Sequence, residues 1–114
     1  MNSDFNIYQE SCKQTAIYPG SGTGSVLALA YCGLGLGEVG EVQGKIKKIL
    51  RDSNGEVSEE VKVALAAELG DVLWYCASLA TELGMNLADV ADDNLKKLSS
   101  RKERGQLKGS GDDR

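Results

Sequence analysis

The run Leu65-Ala66-Ala67-Glu68-Leu69-Gly70-Asp71-Val72-Leu73-Trp74-Tyr75-Cys76-Ala77-Ser78-Leu79-Ala80-Thr81-Glu82-Leu83 decides the fold. Leu65, Leu69, Val72, Cys76, Leu79 and Leu83 recur every three or four residues, which is the stripe of a helix with one face turned to a core. Glu68, Asp71 and Tyr75 each stand one residue before a stripe position, about 100° around the helix and so on its flank. Ser58 is placed as an N-cap and Gly84 as a C-terminal stop, so a helix is predicted from 58 to 83.

The preceding segment, 25 to 51, repeats the arrangement. Val39, Val42, Ile46 and Ile49 form its apolar stripe, and Glu38, Glu41 and Lys45 lie one residue earlier. Asp52-Ser53-Asn54-Gly55 closes it. Residues 4–17 hold Phe5, Tyr8, Cys12 and Ala16 at helical spacing, ended by Tyr18-Pro19-Gly20-Ser21-Gly22. Asn86 is placed to cap a fourth helix, with Asp89 three residues on as in a capping box, running to Arg104. No segment alternates as a strand would. The expected fold class is all-α, a four-helix-bundle-like domain over 1–104, followed by a polar tail, 105–114, whose Gly-Ser-Gly-Asp-Asp reads as a flexible end.

A chain of 114 residues holds one domain with a small core, so association with a second copy is a natural way to cover more apolar surface. With 13 Lys+Arg against 17 Asp+Glu and a pI near 4.8, the surface is the wrong sign for binding a nucleic-acid polymer. No apolar run is expected to span a bilayer, so no membrane partner is expected. The start Met1-Asn2-Ser3-Asp4 is not a secretory signal, which makes the expected compartment the cytoplasm. The absence of His excludes Ser-His-Asp and Cys-His catalysis and His-containing metal sites. Cys12, Cys32 and Cys76 form no C-x-x-C and read as buried free thiols. Any catalysis falls to carboxylates.

Two matches are discounted. Gly35-Leu36-Gly37-Glu38-Val39-Gly40 fits G-x-G-x-x-G but follows no strand, and Glu38 would repel a pyrophosphate. These glycines, with Gly33 and Gly44, read instead as places where helices approach closely or bend. Asp52-Ser53-Asn54-Gly55-Glu56 lacks the glycine an EF-hand loop needs at its sixth position. Trp74 reads as a core or interface residue.

The acidic pairs remain. Alone, Glu38/Glu41 or Glu68/Asp71 is an ordinary solvated helix face. Together on antiparallel neighbours they concentrate four negative charges, which raises carboxylate pKa values unless a cation neutralises them. An oxygen-only ligand set suits Mg²⁺, with Mn²⁺ as the alternative. Spacing by itself leaves both readings open. On the fourth helix Asn94 falls on the apolar face with Leu87, Val90, Ala91 and Leu98, either cross-linking helices or reaching a pocket. Lys97 and Arg101 follow it at phosphate-binding spacing.

Gly37-Glu38-Val39-Gly40-Glu41-Val42 followed by Glu68-Leu69-Gly70-Asp71-Val72-Leu73-Trp74-Tyr75 resembles the E-x-x-E … E-x-x-D signature of the MazG-like, all-α nucleoside triphosphate pyrophosphohydrolases. Tyr18-Pro19-Gly20 and the tail resemble the short bacterial and phage-type members. The resemblance implies Mg²⁺ held by Glu38, Glu41, Glu68 and Asp71, and cleavage between the α- and β-phosphates of a (deoxy)nucleotide to a monophosphate and pyrophosphate. It implies assembly as a homodimer or homotetramer, a housecleaning role, and sugar or phosphate contacts from Tyr75, Asn94 and Lys97. Arg101, Lys108 and Arg114 are lesser candidates of the same kind, in a tail that either folds over the triphosphate or stays disordered. The expected catalytic residues are Glu38 and Glu41. Mg²⁺ is expected to be held by Glu41, Glu68 and Asp71, and a second ion, or Glu38 as general base, to orient and deprotonate the attacking water. The alternatives are a non-catalytic helical interaction module and a metal-dependent nucleotide sensor.

Overall fold

A computed structural model describes residues 3–52, 55–112 and 114. Five α-helices follow in order: α1 (Ser3–Cys12), α2 (Val26–Gly35), α3 (Glu38–Asp52), α4 (Glu59–Glu82) and α5 (Leu87–Glu103), with a 3-10 turn, Lys13–Thr15, after α1. No strand occurs among the described residues. The four expected helical stretches are all present, but the second is cut in two. Gly35 and Gly37 flank Leu36 and favour the helix weakly. The Gly37 N–H donates to the Leu34 carbonyl at 3.0 Å, and a Cβ on Gly37 would lie 2.9 Å from that oxygen. The chain therefore turns there, which frees α3 to take its own direction. Of the four residues expected to close α3, Ser53 and Asn54 lie outside the described residues.

Ser58 and Ser25 cap α4 and α2, their hydroxyls accepting from the N–H groups of Val61 and Ala28. Gly84, at φ +71, ends α4 as expected. Asn86 precedes α5, but its side chain makes no cap bond. The free N–H groups of α5 are satisfied from α1 instead: Leu87 donates to Gln9 Oε1 at 2.8 Å and Ala88 to Asn6 Oδ1 at 3.2 Å. This cap is tertiary, from residues some eighty positions away, and no local spacing reveals it.

Helix α4 touches every other α-helix. It runs antiparallel to α3: Glu38 meets Asp71 and Glu68, Lys45 meets Glu68, and Ile49 lies with Val61 and Ala64. The core sits at the other end of α4, where Cys12, Ala77, Ala80 and Leu87 are buried with Phe5, Tyr8 and Trp74 packed on them. The expected stripes are only partly covered. Ile49 is buried, but Val39 is 57% and Leu69 63% exposed, and Leu83 is exposed as well. The apolar residues of α3 and α4 spread over more face than one neighbouring helix covers.

Two further expectations are corrected. Helix α4 is long and apolar enough, by length and composition, to cross a membrane, with a mean hydropathy of 1.4 over an 18-residue window. The tail is not a free end. Arg101, 4% exposed, donates to the Asp112 carbonyl at 2.8 Å, and Arg104 to that of Arg114 at 3.0 Å. The Arg114 guanidinium in turn donates to the carbonyls of Gln106, Leu107 and Gly111. Asp113 lies outside the described residues.

Candidate active site

The antiparallel pairing of α3 and α4 brings together residues thirty positions apart. One carboxylate oxygen each from Glu38, Glu68 and Asp71 lies within 4.8 Å of the others. Glu38 is in the first turn of α3, where the positive end of the helix dipole favours an anion. Glu41 shares that turn but is exposed and stands outside the three-carboxylate cluster. Lys45, a turn further along, supplies partial compensation with its Nζ 3.8 Å from Glu68.

Burial pushes the Glu38 carboxyl above its usual range. Its hydrogen bond to Glu68 and the charges of Glu68, Asp71 and Glu41 push in the same direction. A carboxylate cluster in that state is stabilised by a cation. Octahedral Mg²⁺ holds its ligand oxygens roughly 3–4 Å apart, so small side-chain rotations within this cluster suffice, and the donor set is all oxygen. The residues fit a divalent ion.

The cluster opens into a cleft of about 410 Å³ lined by Thr15, Glu38, Asp71, Trp74 and Tyr75. Tyr75, expected to contact a nucleotide, is therefore beside the carboxylates. Its ring lies against Gly35, where a Cβ would fall 2.0 Å from a ring carbon. Gly35 is the one glycine of the discounted motif that a close side-chain approach explains; Gly33, Gly40 and Gly44 face open space. Thr15 reaches the cleft from the 3-10 turn and accepts from the Trp74 indole N–H at 2.9 Å.

Asn94 and Lys97 are not in this cleft. Helix α5 packs against α1 and α4, Asn94 is exposed rather than buried, and Lys97 Nζ lies 3.8 Å from Asp112. Arg101 is likewise directed at Asp112. The apolar face on which Asn94 falls is itself half uncovered, with Val90 43% and Leu98 39% exposed.

The MazG nucleotide pyrophosphohydrolase domain model matches residues 30–105, which takes in α3, α4, α5 and all four acidic positions. The chain belongs to this family. It is also 51% identical over 111 residues to the Gene 37 protein of Mycobacterium phage L5, covering 96% of this chain and 97% of that one. No solved structure matches it significantly. The matched range of this MazG domain contains the three-carboxylate cluster of Glu38, Glu68 and Asp71.

Sequence reasoning missed Glu82. It is 6% exposed at the end of α4 and accepts from the Tyr18 hydroxyl and from the N–H groups of Gly22 at 2.8 Å and Gly24 at 2.9 Å. An acid in the last turn of a helix opposes the dipole, and that was the available signal. Desolvation raises its pKa, but these three donors outweigh it and hold the carboxyl below its usual value.

The two carboxylates titrate with opposite sign. Glu38, raised in the fold, binds its proton more tightly there than in the unfolded chain. Metal-free protein therefore gains stability as pH falls through that raised value toward about 4.5. Glu82, lowered in the fold, contributes stability above about 4.5 that is lost as pH falls through its depressed value. The expected result is a melting temperature in chelator that rises on mild acidification and then drops. Excess Mg²⁺ should abolish the rise, because protons and metal compete for the same carboxylates. A melting temperature that falls steadily from neutral pH would contradict the placement of Glu38.

Proposed function

We propose that this MazG domain is a Mg²⁺-dependent nucleoside triphosphate pyrophosphohydrolase, cleaving between the α- and β-phosphates to give a nucleoside monophosphate and pyrophosphate. The observation that carries the reading is the convergence of Glu38, Glu68 and Asp71 beside the Tyr75 cleft. These three hold the ion, with Glu41 one turn along α3 as a fourth ligand, and Mn²⁺ is the alternative metal. When bound, the ion neutralises the phosphates and the charge developing on the leaving pyrophosphate. Glu38 would orient a water for in-line attack and accept its proton. Tyr75 lines the site at which the sugar and phosphates are held. Trp74 lines the cleft beside it. Housecleaning of the cytoplasmic nucleotide pool fits an enzyme of this kind, in a compartment where Cys12, Cys32 and Cys76 stay free thiols.

The shape of the protomer supports assembly as a homodimer or homotetramer. Its radius of gyration is 16.9 Å, where a compact chain of this length has about 13 Å. Val39, Leu69, Leu73, Val90 and Leu95 are exposed together with much of α4, whose most apolar window is only 17% buried. We read the apolar length of α4 as a protein-covered helix, since Glu68 and Asp71 on it face α3 rather than lipid. Lys97 and Asn94 lie outside the protomer's own cleft, and in such an assembly they would serve a partner's. Sedimentation is expected to return two or four times 12.1 kDa, and a monomer at micromolar concentration would overturn the assembly.

The deciding experiment is pyrophosphate release from a panel of ribo- and deoxynucleoside triphosphates, with Mg²⁺ and with chelator. Metal-dependent release with a monophosphate product supports the reading. Metal-dependent binding without product turns it into a nucleotide sensor. Neither binding nor release, in folded protein, leaves a helical interaction module.

A further inference from the structure

The segment joining the 3-10 turn to α2 carries Tyr18 and three positive-φ glycines, Gly20, Gly22 and Gly24, and it is held in an unusual way. A cavity of about 240 Å³ lies beside it, lined by Tyr18, Ser21, Gly22 and Glu82 with Ser78 and Thr81. The Glu82 carboxylate ties the two ends of this loop together: it accepts from the Tyr18 hydroxyl at one end and from the Gly22 and Gly24 N–H groups at the other. Gly24, at φ +65, would bring a Cβ to 3.0 Å from the Glu82 carbonyl oxygen, so the loop backbone lies directly on the last turn of α4. A buried carboxylate at a helix C-terminus is costly unless its donors are present, so Glu82 and the loop depend on each other.

From Tyr18 a continuous line of rings leads to the carboxylates. The Tyr18 and Trp74 rings meet edge to face with centroids 6.2 Å apart, and Trp74 meets Tyr75 in the same manner at 5.1 Å. Trp74 and Tyr75 line the cleft with Glu38 and Asp71. We propose that Glu82 is a positioning residue for the nucleotide site: by fastening the 18–24 loop it sets Tyr18 against Trp74, and through Trp74 it fixes Tyr75 at the rim of the carboxylate cleft. The inference rests on the pyrophosphohydrolase reading for its effect on substrate, but not for the linkage itself. Glu82 touches neither the cluster nor the cleft, so it acts on nucleotide binding and not on the chemical step.

Trp74 is the only tryptophan, so its fluorescence reports the linkage directly. Glu82→Gln and Tyr18→Phe are compared with the unaltered chain by Trp74 emission, acrylamide quenching and steady-state kinetics with Mg²⁺. Both variants are expected to red-shift the emission and to raise KM about tenfold with kcat nearly unchanged, the pattern of lost positioning rather than lost chemistry. A purely structural role lowers the melting temperature but leaves KM of the folded enzyme alone, and unchanged KM in an active enzyme overturns the proposal. Unchanged emission and quenching overturn it as well. Should Glu82→Gln fail to fold, Tyr18→Phe decides, since it keeps the ring and removes one donor of three. Should the unaltered chain release no pyrophosphate, the functional reading fails separately, and the emission shift still tests whether Glu82 positions Trp74.

Discussion

Glu38→Gln is expected to abolish pyrophosphate release while leaving the helical fold intact. The amide matches the carboxylate in size, so packing at the start of α3 is preserved. It carries no charge and no basicity, however, and a lost general base costs about 10²–10⁴-fold in rate. Stability should move in the opposite direction. Glu38 is pushed up by burial and by its acidic neighbours, so in chelator the neutral variant should melt at the same temperature as the unaltered chain or higher. Added Mg²⁺ should then stabilise the variant less than the unaltered chain, because one of the three clustered carboxylates is gone. Full activity in Glu38→Gln would remove this residue from the mechanism, and a large drop in melting temperature in chelator would show that the cluster serves the fold rather than a metal.

Gly35→Ala should be destabilising, although the substitution ordinarily favours a helix. Alanine gains about 1 kcal/mol over glycine by helix propensity. Here its Cβ would stand 2.0–2.4 Å from three carbons of the Tyr75 ring, whereas carbon atoms in contact sit about 3.5–4.0 Å apart. The ring has to move, and overpacking of this kind costs about 1–3 kcal/mol. The steric term wins, so a net loss of stability of about 1 kcal/mol is expected in denaturant unfolding, together with a raised KM as Tyr75 leaves the cleft. Gly44→Ala is the matched control. Nothing lies within 4 Å of its Cβ position, so it should be neutral or stabilising in the same measurement. Equal destabilisation by both would mean that the contact with Tyr75 is not the cause.

Much of the site was legible because a helix converts spacing into geometry. Carboxylates one residue before each apolar position must lie beside the packing face, whatever the partner turns out to be, and two such helices in antiparallel contact bring their flanks together. That logic anticipated the convergence of Glu38, Glu68 and Asp71 beside Tyr75. It did not foresee that Glu41 stands outside that cluster, since membership in a group smaller than 5 Å depends on side-chain direction and not only on the face of the helix. It failed for Asn94 because periodicity identifies an apolar face without saying whether anything covers it, and on α5 little within the protomer does.

The limits at the ends of the helices have the same origin. The serine cap at Ser58 was readable because the bond closes over three residues. The cap of α5 by Gln9 and Asn6 was not, since it joins groups 78 and 82 positions apart. Nor was the ordering of the tail, where arginines donate to backbone carbonyls that have no sequence signature.

What the sequence by itself determined is the all-α class, the positions of the helical stretches, the exclusion of histidine chemistry and the acidic signature of the family. Each follows from local periodicity or from residue identity alone. Only the tertiary structure decided that α2 and α3 are separate helices, that three of the four acids converge, and that a buried Glu82 ties the Tyr18 loop to α4. Those outcomes depend on which distant groups meet, and a linear pattern of apolar and charged residues does not contain that information.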